Sequence, residues 1–381
     1  MEETTQAASG QLWHSFIIGM LIAGAGVVAI EFGLSAAVIE IAVGFMARNV
    51  IGIWYADWVK FIADFGLITL MFIAGFEVDL PMLRKNLGKS TAVGSLSFLI
   101  PFAGAYGIAF LFPEMSSGKA VIFAIAMSTT SLALVFPVLR EKGLLISTPG
   151  QFLLSSAMVV DIMSVVALLL FFIEPGLHLL LGAVGLVIIF LLAPRLSRWL
   201  FGRWHGNLIE MEVRFILFAL LALLFIASVS EVHAALTGFI FGVVMSSILR
   251  KHYQVEEKVR NIVFSFFAPV FFFHAGSQMD ISQFSWEDAL FVVVFTPAAF
   301  LLKFGGSYYP FRWFKCELCR FASILFNYRL SFAIVAALFG LQTGRISAGE
   351  YSAIMIVVLI TSLGTALLLR FRPNIEHPPM E

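Results

Sequence analysis

From Trp13 to Arg370 the chain is a succession of apolar stretches about 20 residues long, with most of its charge confined to the short gaps between them. Lipid offers a backbone no water to bond, so each stretch must be a helix whose N–H and C=O groups satisfy one another. Thirteen such segments can be drawn, at 13–30, 34–50, 60–77, 89–112, 119–140, 149–173, 177–195, 213–230, 233–249, 261–277, 288–309, 318–341 and 350–370. Of the 381 residues 60% are hydrophobic and 13% charged, whereas a soluble domain is about 45–50% apolar and about 25% charged. The fold class read from this is an all-α polytopic membrane protein with about 13 transmembrane helices. No separate soluble domain fits beside them. The opening "MEETTQAASGQLWHS" is acidic and lacks a cleavage-site pattern, so residues 1–12 read as an extracytoplasmic segment, not a removable signal. With 24 basic and 24 acidic residues the chain carries no net charge, and nothing in it suggests a nucleic-acid partner.

The distribution of basic residues gives the orientation, because Lys and Arg collect in cytoplasmic loops. With the N-terminus outside, the cytoplasmic side collects 18 of the 24, among them Arg84, Lys85, Arg140, Lys142, Arg250, Lys251, Arg260 and Arg372. The opposite side holds 4, namely Arg48, Lys60, Lys119 and Arg345. The expectation is a multi-pass protein of the cell (inner) membrane, with its C-terminal tail, 371–381, in the cytoplasm.

A repeat is visible at an offset of about 200 residues. "MFIAGFEVDL" (71–80) resembles "FFHAGSQMDI" (272–281), each carrying an Ala-Gly pair followed by Asp79 or Asp280, and "STTSLALV" (128–135) aligns with "YRLSFAIV" (328–335). The same offset pairs "LIS" (145–147) with "RIS" (345–347). Segment five falls on segment twelve, so the copies enter the membrane from opposite sides. Inverted repeats of this kind mark secondary transporters, with the binding site near the midplane where interrupted helices face each other. The repeats are placed at about 34–173 and 233–370, joined by a linker helix at about 177–195, within a transmembrane domain spanning 13–370.

Asp161 stands alone in "SSAMVVDIMSVVALLLFF", about twelve residues into its segment and so near the centre of the hydrocarbon. A carboxylate there is costly and reads as functional, able to hold a proton or a monovalent metal ion but not both. Four successive hydroxyls, Ser128, Thr129, Thr130 and Ser131, lie at similar depth in segment five, with Pro137 beyond. Such hydroxyls often bond back to their own helix; in a broken helix they and the freed carbonyls are hard oxygen ligands for a dehydrated cation. At matched depth in segment twelve stand Asn327, Tyr328 and Arg329. Lys303 and Arg329 are the two intramembrane cations. Lys303 reads as facing the bundle, and Arg329 as a brace on the broken helix, with Glu77 and Glu40 as candidate partners. Glu40 and Asp64 lie nearer helix ends, at interfacial depth, and His274 reads as a satisfied interior histidine. Cys316 and Cys319 supply only half a zinc pattern and read as two reduced thiols.

"LITLMFIAGFEVDLPMLRKN", "STTSLALVFPVLREKGLLISTPGQ", "MVVDIMSVVALLL", "FFAPVFFFHAGSQMDIS" and "YRLSFAIVAALFGLQTGRIS" resemble, in order, blocks of the bacterial monovalent cation:proton antiporter family, with its NapA-type and Kef-type members. The resemblance implies an NhaA/NapA-like fold with two crossing discontinuous helices, and a homodimer in which a core bundle slides against a dimerisation bundle. It implies that Asp161 binds the ion, that Thr129 and Thr130 sit at the unwound crossing, and that Lys303 and Arg329 occupy the family's basic positions. Two departures stand out. Where electrogenic members carry an additional aspartate this chain has Val160, and the family's Arg-Gly-Glu is Arg329-Leu330-Ser331. A single titrating carboxylate implies electroneutral exchange of one H⁺ for Na⁺ or K⁺. Kef-type proteins continue into a nucleotide-binding domain, whereas this sequence stops at "RFRPNIEHPPME".

No cofactor is expected, the partners being a monovalent cation, the proton and the bilayer. HExxH, GxSxG and paired catalytic aspartates are all missing from the sequence, which argues against an enzyme. A sodium-coupled organic-anion transporter of the same fold and an ion channel remain as alternative readings.

Overall fold

The computed structural model describes residues 2–53, 57–78, 87–112, 115–145, 147–172, 177–204, 210–230, 234–249 and 252–370. Asp79, Arg84, Lys85, Ile146, Arg250, Lys251, Arg372 and the tail 371–381 lie outside them. Among the described residues the structure is helical with no strand. Among the described residues nine helices are long and apolar enough to cross a membrane: α1 (Glu2–Phe32), α3 (Asp57–Phe76), α4 (Leu87–Ala109), α7 (Thr148–Phe172), α8 (Leu177–Trp204), α9 (Met211–Ser230), the continuous run of α11 (Tyr253–Ile262) into α12 (Ala268–Ser277), α13 (Trp286–Trp313) and α16 (Ala348–Arg370). Shorter helices complete the order: α2 (Ala36–Met46), α5 (Ser117–Ser128), α6 (Leu132–Glu141), α10 (Ala234–Leu249), α14 (Cys319–Leu325) and α15 (Ser331–Gln342). Taking α5 with α6 and α14 with α15 as single interrupted crossings gives the thirteen segments in their places. This is a polytopic membrane protein.

Local chemistry sets the ends. Ser285 and Asp288 form a reciprocal capping box at the start of α13, and Ser116 caps α5 by accepting the Lys119 N–H. Helix α1 already begins at Glu2, so it runs through the segment placed outside the membrane; Glu, Gln and Ala there are good helix formers without being apolar enough to enter lipid.

The chain divides into two compact units. The first joins residues 1–78 to 172–280. Within it α10 packs on α3, and α12 packs on α2 and α3. Helices α2 and α12 touch backbone to backbone: a Cβ at Gly44 would overlap the Phe273 carbonyl, and one at Gly276 the Ile41 carbonyl. Small residues permit this approach, which supplies the van der Waals contact that holds helices together in lipid. The second unit joins residues 79–171 to 281–381, with α4 packed on α5 and α13, α15 on α5, and α16 on α13 to α15. It contains Asp161 and both interrupted helices.

Two expectations are corrected in the first unit. Glu77, a candidate partner for Arg329, instead accepts a 2.7 Å bond from Arg260, which also bonds Glu256 at 3.1 Å. Glu40, the other candidate partner, is buried, 5% exposed, and makes no hydrogen bond or ion pair with a described residue. Sequence position along a helix gives depth but not facing, and the partner that Glu77 faces stands 183 residues further along the chain. His274 is buried and accepts a bond from Gln278 Nε2 at 3.1 Å.

Candidate functional site

The second unit is built around two gaps in helices. After Ser128 the backbone turns extended, with Thr129 at φ −66°, ψ 162° and Ser131 at φ −97°, ψ 106°, before α6 starts at Leu132. A hydroxyl run favours such a break because Ser and Thr side chains compete for backbone groups. Ser128 Oγ donates to Ala124 O at 2.5 Å and Thr129 Oγ1 to Ala126 O at 3.4 Å. In the other crossing, α14 ends at Leu325 and α15 begins only at Ser331.

The two gaps meet. The Ser131 N–H donates to Tyr328 O at 2.7 Å, Thr130 Oγ1 donates to Phe326 O at 3.1 Å, and the hydroxyls of Ser131 and Ser331 lie 2.9 Å apart. Backbone groups released by one broken helix are thus satisfied by the other, which low-dielectric surroundings require. Four half-helix ends converge here, each carrying a partial charge.

Each cation is committed to carbonyl oxygens. Lys303 Nζ donates to Ser128 O at 2.5 Å and Ser97 O at 2.9 Å, so it caps the negative C-terminal end of α5. The Arg329 guanidinium donates to Ala299 O and to Asn327 Oδ1 at 2.9 Å, with Met127 Sδ 3.9 Å away. Its backbone is clasped by Ser362, whose hydroxyl donates to Arg329 O at 2.9 Å. Both cations are fully buried.

Asp161 is 1% exposed, in the middle of α7. Helix α4 carries α7 toward the crossing: Gly94 sits against Ser156 O and Val159 so closely that a Cβ would lie 2.7 Å from that oxygen and 2.5 Å from the Val159 Cβ. One turn away Ser90 and Ser155 bond at 2.7 Å. The same face of α4 reaches α13 through Ser97 and Ser307, 2.8 Å apart. Lys303 interacts electrostatically with both Arg329 and Asp161. The second unit therefore brings Asp161, Lys303, Arg329 and the gap residues 128–131 around one crossing, while Glu77 is engaged elsewhere.

Several residues at this crossing escaped the sequence reading. Ser97, Ser307 and Ser362 look like ordinary serines in apolar helices, and only their partners 30 to 210 residues away give them a role. Thr296 Oγ1 is buried with no hydrogen-bond partner among the described residues, on the α13 stripe that continues through Ala299 to Lys303. The available signal was their spacing at three and four residues.

Comparison with known proteins agrees with this architecture. The chain is 28% identical over 359 residues to a Na(+)/H(+) antiporter of Enterococcus hirae, covering 90% of this chain and 92% of that protein. It is 25% identical over 362 residues to the Na(+)/H(+)-K(+) antiporter GerN of Bacillus cereus, covering 91% and 92%. The solved structure of the sodium proton antiporter MjNhaP1 from Methanocaldococcus jannaschii shares its fold, with a TM-score of 0.67 at 14% identity over 95% of this chain and 97% of that one. The family model for the sodium/hydrogen exchanger transmembrane region matches residues 17–371, and the chain belongs to that family.

Proposed function

We propose that the protein is a secondary antiporter exchanging a monovalent cation, Na⁺ or K⁺, for H⁺, with Asp161 binding cation and proton in competition. The observation that carries this reading is a buried carboxylate in the unit where two interrupted helices cross, within electrostatic range of a lysine that donates to two carbonyls at that crossing. The oxygen-rich gap at Ser128, Thr129, Thr130 and Ser131 is the source of further ligands for a dehydrated ion.

Charge accounting explains why such a site exchanges rather than leaks. With Lys303 and Arg329 fixed, Asp161 contributes the same net charge when protonated as when it holds one monovalent cation. The empty carboxylate carries one more negative charge, which a low-dielectric passage disfavours. Only loaded states then change access, which couples the two fluxes. Because Val160 occupies the place of an additional aspartate, one proton balances one cation and the cycle moves no net charge. An elevator-like displacement of the unit that holds the site, within a homodimer, is the movement that fits the family's plan. The inverted repeats are supported by the Ser131–Ser331 pairing, at a separation of 200 residues.

The test is proton movement in proteoliposomes holding a pH gradient, on addition of Na⁺, Li⁺ or K⁺, with Asp161→Asn in parallel. Cation-driven proton release in the parent and none in the variant is the expected result. If no monovalent cation moves protons in the parent, the assignment fails, and sodium-coupled transport of organic anions or a channel becomes the reading to pursue.

A further inference from the structure

The first unit holds a buried carboxylate, Glu40, that the exchange site does not use. A groove of about 550 Å³ lies between α1, α2 and the start of α12, within the range of small-molecule sites. Its walls are apolar, from Ile22, Ala29 and Ile30 of α1 to Phe264 and Pro269 opposite, and the outward face of α1 beside it, with Val27 and Ile30, is exposed as a lipid-facing surface is. Glu40 lines the groove at 5% exposure, and no donor among the described residues bonds its carboxylate. Among the described residues no Lys, Arg or His lines the groove, and the other polar side chain there is Ser265.

A carboxylate in apolar surroundings needs N–H or O–H donors, and the described residues supply none here. The groove also contains the first residue of α2, Ala36, whose N–H is one of the donors that helix geometry leaves over, while Ser35 makes no side-chain cap. Of the next amides, those of Val38 and Ile39 are bonded to Ser35 O. A helix start attracts an anion. Negative and positive attractors therefore lie about one helical turn apart, roughly 5 Å, which is the reach of an ethanolamine bridge between an ammonium and a phosphate. The apolar walls continue from that end along α1.

We propose that this groove is a phospholipid site selective for phosphatidylethanolamine, with the ammonium on Glu40, the phosphate at the start of α2 and an acyl chain along α1. Phosphatidylcholine fits the charge but has no N–H to give the carboxylate. Phosphatidylglycerol brings an anion and no cation to face Glu40.

The experiment is native mass spectrometry of the full-length protein in detergent, equilibrated in turn with phosphatidylethanolamine, phosphatidylcholine and phosphatidylglycerol, for the parent, Glu40→Gln and Gly26→Leu. Gly26 lines the groove and has open space beside it, so leucine adds bulk to the groove while the Glu40 side chain is retained. The parent should retain phosphatidylethanolamine at least about tenfold more tightly than either other lipid, the factor that ~1.4 kcal/mol corresponds to. Both variants should lose that preference while cation-driven proton exchange stays at the parental rate. Equal retention of all three lipids by the parent overturns the proposal, as does an undiminished preference in Gly26→Leu. A parent that retains no lipid and whose mass halves in Gly26→Leu also overturns it, by assigning the groove to a second copy of the chain.

Discussion

The bond between Ser131 and Ser331 makes a quantitative prediction about the crossing. Both hydroxyls are buried and 2.9 Å apart, Ser131 at the residue before α6 and Ser331 at the first residue of α15. Replacing either with alanine leaves the other hydroxyl unpaired in a dry place, at a cost of about 1–3 kcal/mol. Two effects shrink that figure. A lone serine can turn back to a carbonyl of its own helix, and interhelical hydrogen bonds in membrane bundles have averaged about 0.6 kcal/mol because the unfolded chain also finds partners. Each single substitution should therefore cost about 1 kcal/mol. The double variant removes both halves of the pair and should also cost about 1 kcal/mol, not 2. The coupling of about 1 kcal/mol, roughly a fivefold change in the unfolding equilibrium, would be read from denaturant titrations of the four proteins in detergent. Ser352→Ala supplies the control, since Ser352 Oγ bonds Ala348 O within its own helix, and it should combine additively with Ser131→Ala. Additivity of Ser131→Ala and Ser331→Ala to within about 0.3 kcal/mol would refute the idea that the two gaps satisfy each other.

Further expectations concern the charges and orphaned groups. Lys303→Met strands the Ser97 and Ser128 carbonyls and should lower stability by about 3 kcal/mol, seen as a lower melting temperature. Thr296→Val removes a buried hydroxyl without a partner among the described residues, so it should raise stability by about 1 kcal/mol. If that hydroxyl serves the ion, the same change weakens cation affinity, read as a higher apparent Km at unchanged pH. Voltage-clamped proteoliposomes should show exchange without net current; a steady current would remove the one-for-one stoichiometry. Burial pushes the Cys316 thiol up to about 11, which leaves a thiolate fraction of roughly 10⁻³ at pH 8. Maleimide labelling of a Cys319→Ser variant should accordingly be slow at that pH and accelerate about tenfold per unit up to pH 10.

Much of this arrangement was legible in the sequence, for identifiable reasons. Crossing segments are written in hydropathy because lipid leaves the backbone no other option. The first gap was visible as four hydroxyls in an otherwise apolar helix, and the second as Asn327, Tyr328 and Arg329 at matched depth. What stayed hidden were pairings across long separations. That Lys303 caps α5 depends on Ser128, 175 residues before it. Glu77 was assigned to the wrong arginine because Arg260 looks like a cytoplasmic-loop charge until α3 and α11 are seen to hold the pair together. Glu40 looks in the sequence like a further partner for Arg329, and only the packing of α1 and α12 on α2 makes it a buried group of the first unit.

The central claim is that proton and cation compete for Asp161. Its most direct test is the apparent Km for Na⁺ of exchange in proteoliposomes, measured across a series of pH values at saturating driving gradient. Competition for one site predicts that Km rises tenfold for each unit of falling pH on the acid side, with the maximal rate unchanged, and that Asp161→Asn shows no exchange at any pH. A Km independent of pH, with the maximal rate falling instead, or exchange persisting in Asp161→Asn, would contradict the account.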